Sequence, residues 1–408
     1  MDIRKIRENE LLEVCKLSSI CFEYPFNEEG LKEEQLLQQM LSTPESKGIR
    51  YWQQIWGAFN EQEELLSCLN VIPFQFHFDG NTVPATGIGN VCTYPHHRKK
   101  GAVKAVFQEI LPAMYKDSVL FSYLYPFSEG FYRKFGYEHA HNSTTWDMDL
   151  SQIPVTKYQG SFSLYGKGEP LDDFKSVYID FAKKHNMMVC RDSHDWSNIT
   201  DAKGAYNNQY AYLYKDVQGI PRGYLVFKKE VREQHSILVS RELIFDSFET
   251  LKAIFSFAST YSGDYRLLHF QAPDVYNLEY FCRDYPQSLS RYSMALNGMV
   301  RVINAADVLK KAAYKGSGSL SIKIIDPQIE ENNGIFQVSF HDNFCKEIIH
   351  SKEGAFDISM PISLFSAAVV GTLQTQDLAY QDEVVILCNT EKLEPVFYKK
   401  AAWINNYF

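Results

Sequence analysis

The sequence predicts an α+β protein in three regions, and three observations carry that prediction. The chain has 408 residues, more than one hydrophobic core ordinarily serves. Its first region, 1–150, alternates helical and strand patterns in a definite order: two helices, antiparallel strands, a strand–loop–helix unit, a strand and a short helix. Part of that order recurs over 151–290, and a further run of strands and helices follows over 291–408.

Apolar spacing at Leu11, Leu12, Val14, Cys15 and Leu17 predicts a helix over 9–21. A second helix is expected over 28–41, closed by Ser42-Thr43-Pro44. Strands over 52–59 and 65–78 flank an acidic turn at 60–64, which holds Glu61, Glu63 and Glu64, and Asp79-Gly80-Asn81 signals a hairpin. The returning strand runs through Gly87-Ile88-Gly89-Asn90 into Val91-Cys92-Thr93-Tyr94-Pro95-His96-His97-Arg98-Lys99-Lys100-Gly101-Ala102. Beyond it Val103, Val106, Phe107, Ile110 and Leu111 share one face of a helix.

A loop that enters a helix leaves backbone N–H groups unpaired, and the helix dipole adds positive charge there. With Arg98, Lys99 and Lys100 beside it, this unit is a cradle for a phosphate or pyrophosphate. The chain has no GxxxxGK[ST] and no GxGxxG after a strand, which argues against a nucleotide-hydrolysing P-loop and a Rossmann site. The run 119–125 reads as a strand stopped by Pro126, and 129–137 as a short helix ended by Gly136.

Over 151–290, helices are expected at 171–185 and 247–261 and strands at 206–214, 223–228, 236–244 and 267–270. No R-x-x-G loop occurs there, so this region is expected to bind no cofactor. Over 291–408, strands are expected at 299–304, 318–326 and 334–341, with a turn between Ile325-Asp326-Pro327 and Asn332-Asn333-Gly334. The apolar run 362–373 reads as a helix packed in a core, with the wall of a lipid cavity as the alternative.

Composition narrows the partners. A formal net charge of −9 argues against nucleic acid, because polyanion binding needs a dominant basic surface, and it suits a cationic substrate. The eight cysteines form no C-x-x-C pair and sit mostly in apolar runs, so reduced thiols and a cytoplasmic location are expected. No apolar run approaches the ~18 residues that span a bilayer, so no membrane partner is expected. His96, His97, His139, His141, His341 and His350 lack the partners of a metal site, and no metal is expected. Tyr24, Phe26, Trp52 and Trp56 read as core aromatics, with a substrate cleft as the alternative.

Arg98-x-x-Gly101-x-Val103 resembles the acetyl-CoA loop of the GCN5-related N-acetyltransferases, with Val103 where Gly or Ala is usual. The pair VCTYPHHRKKG and LYPFSEGFYRKFGY, one helix apart, resembles the enhanced intracellular survival family of acetyltransferases. The resemblance implies tandem GCN5-related acetyltransferase folds, the second degenerate, followed by a sterol-carrier-protein-like α/β domain. It assigns an acetyl-CoA-binding domain to 1–150, the degenerate domain to 151–290, and the third domain, whose end reaches the active site, to 291–408. Acetyl-CoA is then the cosubstrate, the acceptor is a cationic amine of the aminoglycoside or polyamine type or a lysine side chain, and the assembly is a hexamer.

Under that resemblance Arg98, Lys99, Lys100, Gly101 and Ala102 hold the cofactor, and the backbone of Val91, Cys92 and Thr93 pairs with its pantetheine arm. Cys92 as a nucleophile is the weaker alternative, since only His96 and His97, past Pro95, are at hand to activate it. Tyr132 in FYRKFGY matches the family's catalytic tyrosine. A phenol of pKa near ~10 stays protonated at neutral pH and can donate to a departing thiolate. Core packing beside Phe131, Phe135 and Tyr137 is the competing role. Family members end on an aromatic residue whose carboxylate enters the site, which makes the terminus at Phe408 a base or an ammonium anchor. The competing functional class is a non-catalytic CoA-binding or lipid-carrier protein.

Overall fold

A computed structural model describes residues 1–27, 30–41, 50–166, 168–193, 195–196, 208–232, 235–281 and 291–406. The chain begins with β1 (Asp2–Lys5), α1 (Leu11–Phe22) and α2 (Glu33–Leu41), then β2 (Ile55–Phe59), β3 (Leu65–Phe78) and β4 (Asn81–Thr93). Residues 51–54 form a 3₁₀ turn, so the strand expected from 52 starts only at Ile55. Asp79 and Gly80 both take positive φ, 47° and 79°, and carry the tight turn between β3 and β4.

Next come α3 (Ala102–Lys116), β5 (Phe121–Leu124), α4 (Glu129–Arg133) and β6 (Glu138–Asp149). The second region adds β7 (Ser161–Leu164), α5 (Asp172–Ala182), β8 (Gln209–Lys215), β9 (Pro221–Arg232), β10 (His235–Phe245), α6 (Phe248–Ser259) and β11 (Leu267–Pro273). β12 (Arg291–Val302) follows.

These strands make one twelve-stranded sheet, in the order β1-β2-β3-β4-β5-β12-β6-β11-β10-β9-β8-β7. The first two regions are therefore continuous through their backbone hydrogen bonds. β12, from the third expected region, is inserted between β5 and β6, antiparallel to both. The expected break at 290/291 thus falls one strand too early: by its pairing, 291–302 belongs to the large sheet. Pairing at this sequence distance leaves no local trace in composition, because β5 and β6 read the same whether or not a third strand joins them.

After β12 come α7 (Ala305–Lys311), β13 (Gly318–Ile325), β14 (Gly334–His341), β15 (Phe344–Ser351), β16 (Ile358–Pro361), α8 (Ile362–Val370), α9 (Thr375–Leu378) and β17 (Val385–Ile386). They build a second sheet, ordered β15-β14-β13-β16-β17. In α8, eight of the nine residues are buried. Ser366 Oγ accepts the Val302 amide at 2.8 Å, so this helix packs on β12 and fills a core position.

A fully buried ion pair ties the two sheets together. Arg301 Nη2 meets the Asp326 carboxylate at 2.7 and 2.9 Å, and both side chains have zero exposure. Arg301 Nε also donates to the Phe135 carbonyl at 2.6 Å, just beyond α4.

His141 on β6 is 1% exposed, and neither ring nitrogen has a hydrogen-bond partner among the described residues. Burial pushes its pKa down to about 3. The ring is neutral in folded and unfolded chains above the ordinary value of about 6.5. As pH falls from there toward 3, the unfolded chain gains a proton that the fold refuses, so stability declines by up to about 1.4 kcal/mol per pH unit. His141→Leu should flatten urea-unfolding stability against pH between 6.5 and 5; an unchanged slope would show that the histidine is not the source.

Candidate active site

The site lies where β4 and β5 part. The two strands run parallel and pair from Ala85↔Phe121 to Ile88↔Leu124. Beyond Ile88, β4 continues to Thr93 with no strand beside it on that edge among the described residues. Asn90 and Val91 stand opposite the single Leu69 of β3, a bulge with Asn90 at φ 49°. Such a bulge twists the strand and redirects its amides. Val91, Cys92 and Thr93 therefore lie where no strand covers β4 among the described residues. Side chains reach two of their carbonyls: that of Cys92 accepts the Ser67 hydroxyl at 2.7 Å, and that of Thr93 accepts the Cys21 thiol at 3.6 Å.

The basic loop follows directly. Lys99 and Gly101 both take left-handed backbone, at φ 63° and 85°. Gly101 serves as the N-cap of the fifteen-residue α3, and no side chain caps that helix. Its first amides are thus left for an anion, with the helix dipole behind them. Arg98, Lys99, Lys100, Gly101 and Ala102 are all present at this one turn. Arg98 stands beside the Cys21 thiol near the end of α1.

Cys92 is 1% exposed and packs with α1 residues such as Val14 and Leu17. Its sulfur lies 3.3 Å from Asn90 Oδ1 and 3.9 Å from Ser18 Oγ. Cys68 sits opposite it on β3. The His96 and His97 rings lie tilted against each other, 4.1 Å between centroids, and make no hydrogen bond to the sulfur, so the histidine-activated thiol has no geometric basis.

Tyr132 lies on α4, 2% exposed, between the rings of Phe107 at 6.1 Å, Phe127 at 5.3 Å and Phe131 at 5.2 Å. Its hydroxyl makes no hydrogen bond to any described residue. Burial, reinforced by Tyr137 and Cys92, holds the phenol well above its ordinary pKa, so it stays protonated. The packing role foreseen for this aromatic cluster is filled, and it leaves the Tyr132 hydroxyl without a hydrogen bond to any described residue.

Tyr125, just past β5, was not singled out from the sequence. Its hydroxyl donates to the Asn406 carbonyl at 2.9 Å and fastens the end of the described chain beside the loop leading to α4. The apolar ending was the only sequence signal for this docking. Phe408 lies outside the described residues.

Tyr24 is 47% exposed and therefore not a core residue, against the expectation for it. Among the described residues, no group of three His, Cys, Asp or Glu side chains is arranged to hold a metal ion. No helix there is long and apolar enough to cross a membrane.

The second region repeats the divergence without the cradle. β10 and β11 run parallel from Ile237↔Leu267 to Val239↔His269, and β10 bulges at Arg241, between Ser240 and Glu242. The following helix start is closed: Ser247 Oγ accepts the Thr250 amide at 3.2 Å, and Asp246 accepts its hydroxyl at 2.6 Å. A carboxylate stands where the first cleft has three basic residues.

Residues 2–140 match the family model of the acetyltransferase (GNAT) domain, and residues 305–405 match that of the sterol carrier protein domain. A GCN5-related N-acetyltransferase from Anabaena variabilis ATCC 29413 superposes with a TM-score of 0.84 at 18% identity, covering 100% of both chains. A conserved Enterococcus faecalis V583 protein, a probable N-acyltransferase, gives 0.82 at 21% identity, covering 100% of this chain and 99% of its own. Eis1 from Mycobacterium abscessus gives 0.78 at 15% identity, covering 100% of both. No curated protein matches the sequence at a significant level.

Proposed function

We propose that this N-acetyltransferase, whose residues 2–140 are an acetyltransferase (GNAT) domain, moves the acetyl group of acetyl-CoA onto a primary amine. The acceptor is a cationic small molecule of the aminoglycoside or polyamine type, or a lysine side chain. The observation that carries this reading is the open edge of β4 running into a helix with no side-chain cap, with a protonated tyrosine on α4 whose hydroxyl bonds to no described residue.

Acetyl-CoA supplies a thioester carbonyl. The amides at the start of α3 and the side chains of Lys99 and Lys100 receive its phosphates, while the β4 edge from Val91 to Thr93 aligns the arm and offers N–H groups to the carbonyl oxygen. The amine adds to the carbonyl carbon directly, the C–S bond breaks, and Tyr132 delivers its proton to the sulfur. The chain end, at Phe408, holds and orients the incoming ammonium and takes its proton through water. The net charge of −9 favours such a cation.

Acetyl-CoA turnover over a panel of amines tests the reading. A chain extended by a few residues beyond Phe408 should lose at least about tenfold in kcat/KM for the amine, on the scale of one misplaced charged contact. Unchanged turnover would remove the carboxylate from the mechanism, and no turnover with any amine would overturn the enzyme assignment. Gly101→Ala tests the cradle. A Cβ there meets nothing within 4 Å, so the cost is backbone strain alone, about 1–2 kcal/mol. Its KM for acetyl-CoA should rise about tenfold with kcat retained; an unaltered KM would place the phosphates elsewhere.

A further inference from the structure

The second cleft is not empty of chain. Trp403, Ile404 and Asn405 line the space where β10 and β11 part, leaving a cavity of about 250 Å³. On β10 the Glu242 carboxylate receives Arg191 Nη1 and Nη2 at 2.9 and 2.6 Å, the Tyr224 hydroxyl at 2.7 Å and the Asn405 amide nitrogen at 2.5 Å. The Arg191 and Glu242 side chains are 6% and 5% exposed. Arg191 Nε then donates to Asn406 Oδ1 at 3.1 Å, and Asn406 Nδ2 donates to Asp195 Oδ1 at 3.1 Å. The carbonyl of the same Asn406 takes the Tyr125 hydroxyl at the edge of the first cleft.

Two adjacent asparagines are therefore gripped from both sides, by a buried ion pair of the second region and by a tyrosine of the first. A chain end otherwise frays, because ordering each residue costs conformational entropy that only such contacts offset. Charge-assisted hydrogen bonds in a dry cleft are the strong kind, and Glu242 makes all of its own at one point.

We propose that the second cleft is a socket for the chain's own end, and that Arg191 and Glu242 are positioning residues for acetyl transfer at the first cleft. This rests on the reading that the terminus takes part in that site. The acetyltransferase architecture is thus used twice, once to hold a cosubstrate and once to hold a peptide.

Kinetics and amide hydrogen exchange on the full chain decide the matter. Asn405→Ala combined with Asn406→Ala removes the side-chain hold of the second cleft but leaves the ion pair and the Tyr125 bond to the Asn406 carbonyl whole, so the fold is spared. In that variant the amides of 403–406 should exchange at least tenfold faster. Its kcat/KM for the amine should fall at least tenfold, with KM for acetyl-CoA within twofold of wild type. Glu242→Gln should move the same readouts in the same direction; a purely structural role would instead raise both KM values together.

Two failures are distinguishable. Unchanged turnover in the chain extended beyond Phe408 removes the terminus from the first site and overturns the positioning role with it, whatever the exchange shows. Loss of turnover on extension, with unchanged kcat/KM in the double asparagine variant, overturns the socket assignment alone.

Discussion

Tyr132→Phe should lower kcat by about 10²- to 10³-fold, in the range of a lost general acid, with KM for acetyl-CoA and amine within about twofold. The phenol is buried, kept protonated by its surroundings, and its hydroxyl is hydrogen-bonded to no described residue, so it is available to a departing thiolate. Removing one oxygen leaves the contacts with Phe107, Phe127 and Phe131 in place, so the fold should not respond. A melting temperature shifted by less than about 2 °C would confirm that the loss is chemical. If the variant kept full kcat, the proton would have to come from water, and Tyr132 would be a packing residue only.

The second large effect concerns stability. Asp326→Ala strands the Arg301 guanidinium in a site with zero exposure and should cost about 3–5 kcal/mol. Asp326 also accepts the Asn332 side chain at 2.9 Å and the Gln328 and Ile329 amides at 3.0 and 3.2 Å, so the loop between β13 and β14 loses its anchor as well. Replacing both partners, Arg301→Met with Asp326→Leu, should recover part of the loss, because no charge is then left without a partner. Chemical denaturation of the three chains measures this. A double variant no more stable than Asp326→Ala would mean that the loop hydrogen bonds, and not the stranded charge, set the cost. Activity should fall with Asp326→Ala too, since Arg301 holds the Phe135 carbonyl three residues past Tyr132.

Local order was readable wherever a residue pattern and its physical cause lie close together. The strand 65–78 and the hairpin after it emerge from apolar alternation and an Asp-Gly turn, and α3 from one apolar face. The basic loop before α3 and the short helix that carries Tyr132 sit in contiguous motifs, so their local structure was legible for the same reason.

β6 escaped because its sequence is EHAHNSTTWDMD. Its buried positions include His141, Ser143 and Thr144, and polar residues buried in a sheet give no hydrophobic alternation. Arg301 and Asp326 escaped for the opposite reason: charged residues are expected outside, and only a partner elsewhere in the chain lets both go in. Tyr125, Arg191 and Glu242 acquire meaning through contacts with residues at the far end of the chain, which no spacing rule reaches.

The insertion of β12 between β5 and β6 also governs the order in which this protein can be made. Until residue 302 has left the ribosome, the first region has two strand edges with nothing between them, and no local rearrangement supplies the missing strand. At roughly 5–20 residues per second, synthesis keeps those edges waiting for on the order of ten seconds or more, while the second region is already complete enough to collapse on its own. Such edges template intermolecular pairing. The sheet of the acetyltransferase domain therefore closes only after β12, which ends at Val302 where β6 ends at Asp149, has been made.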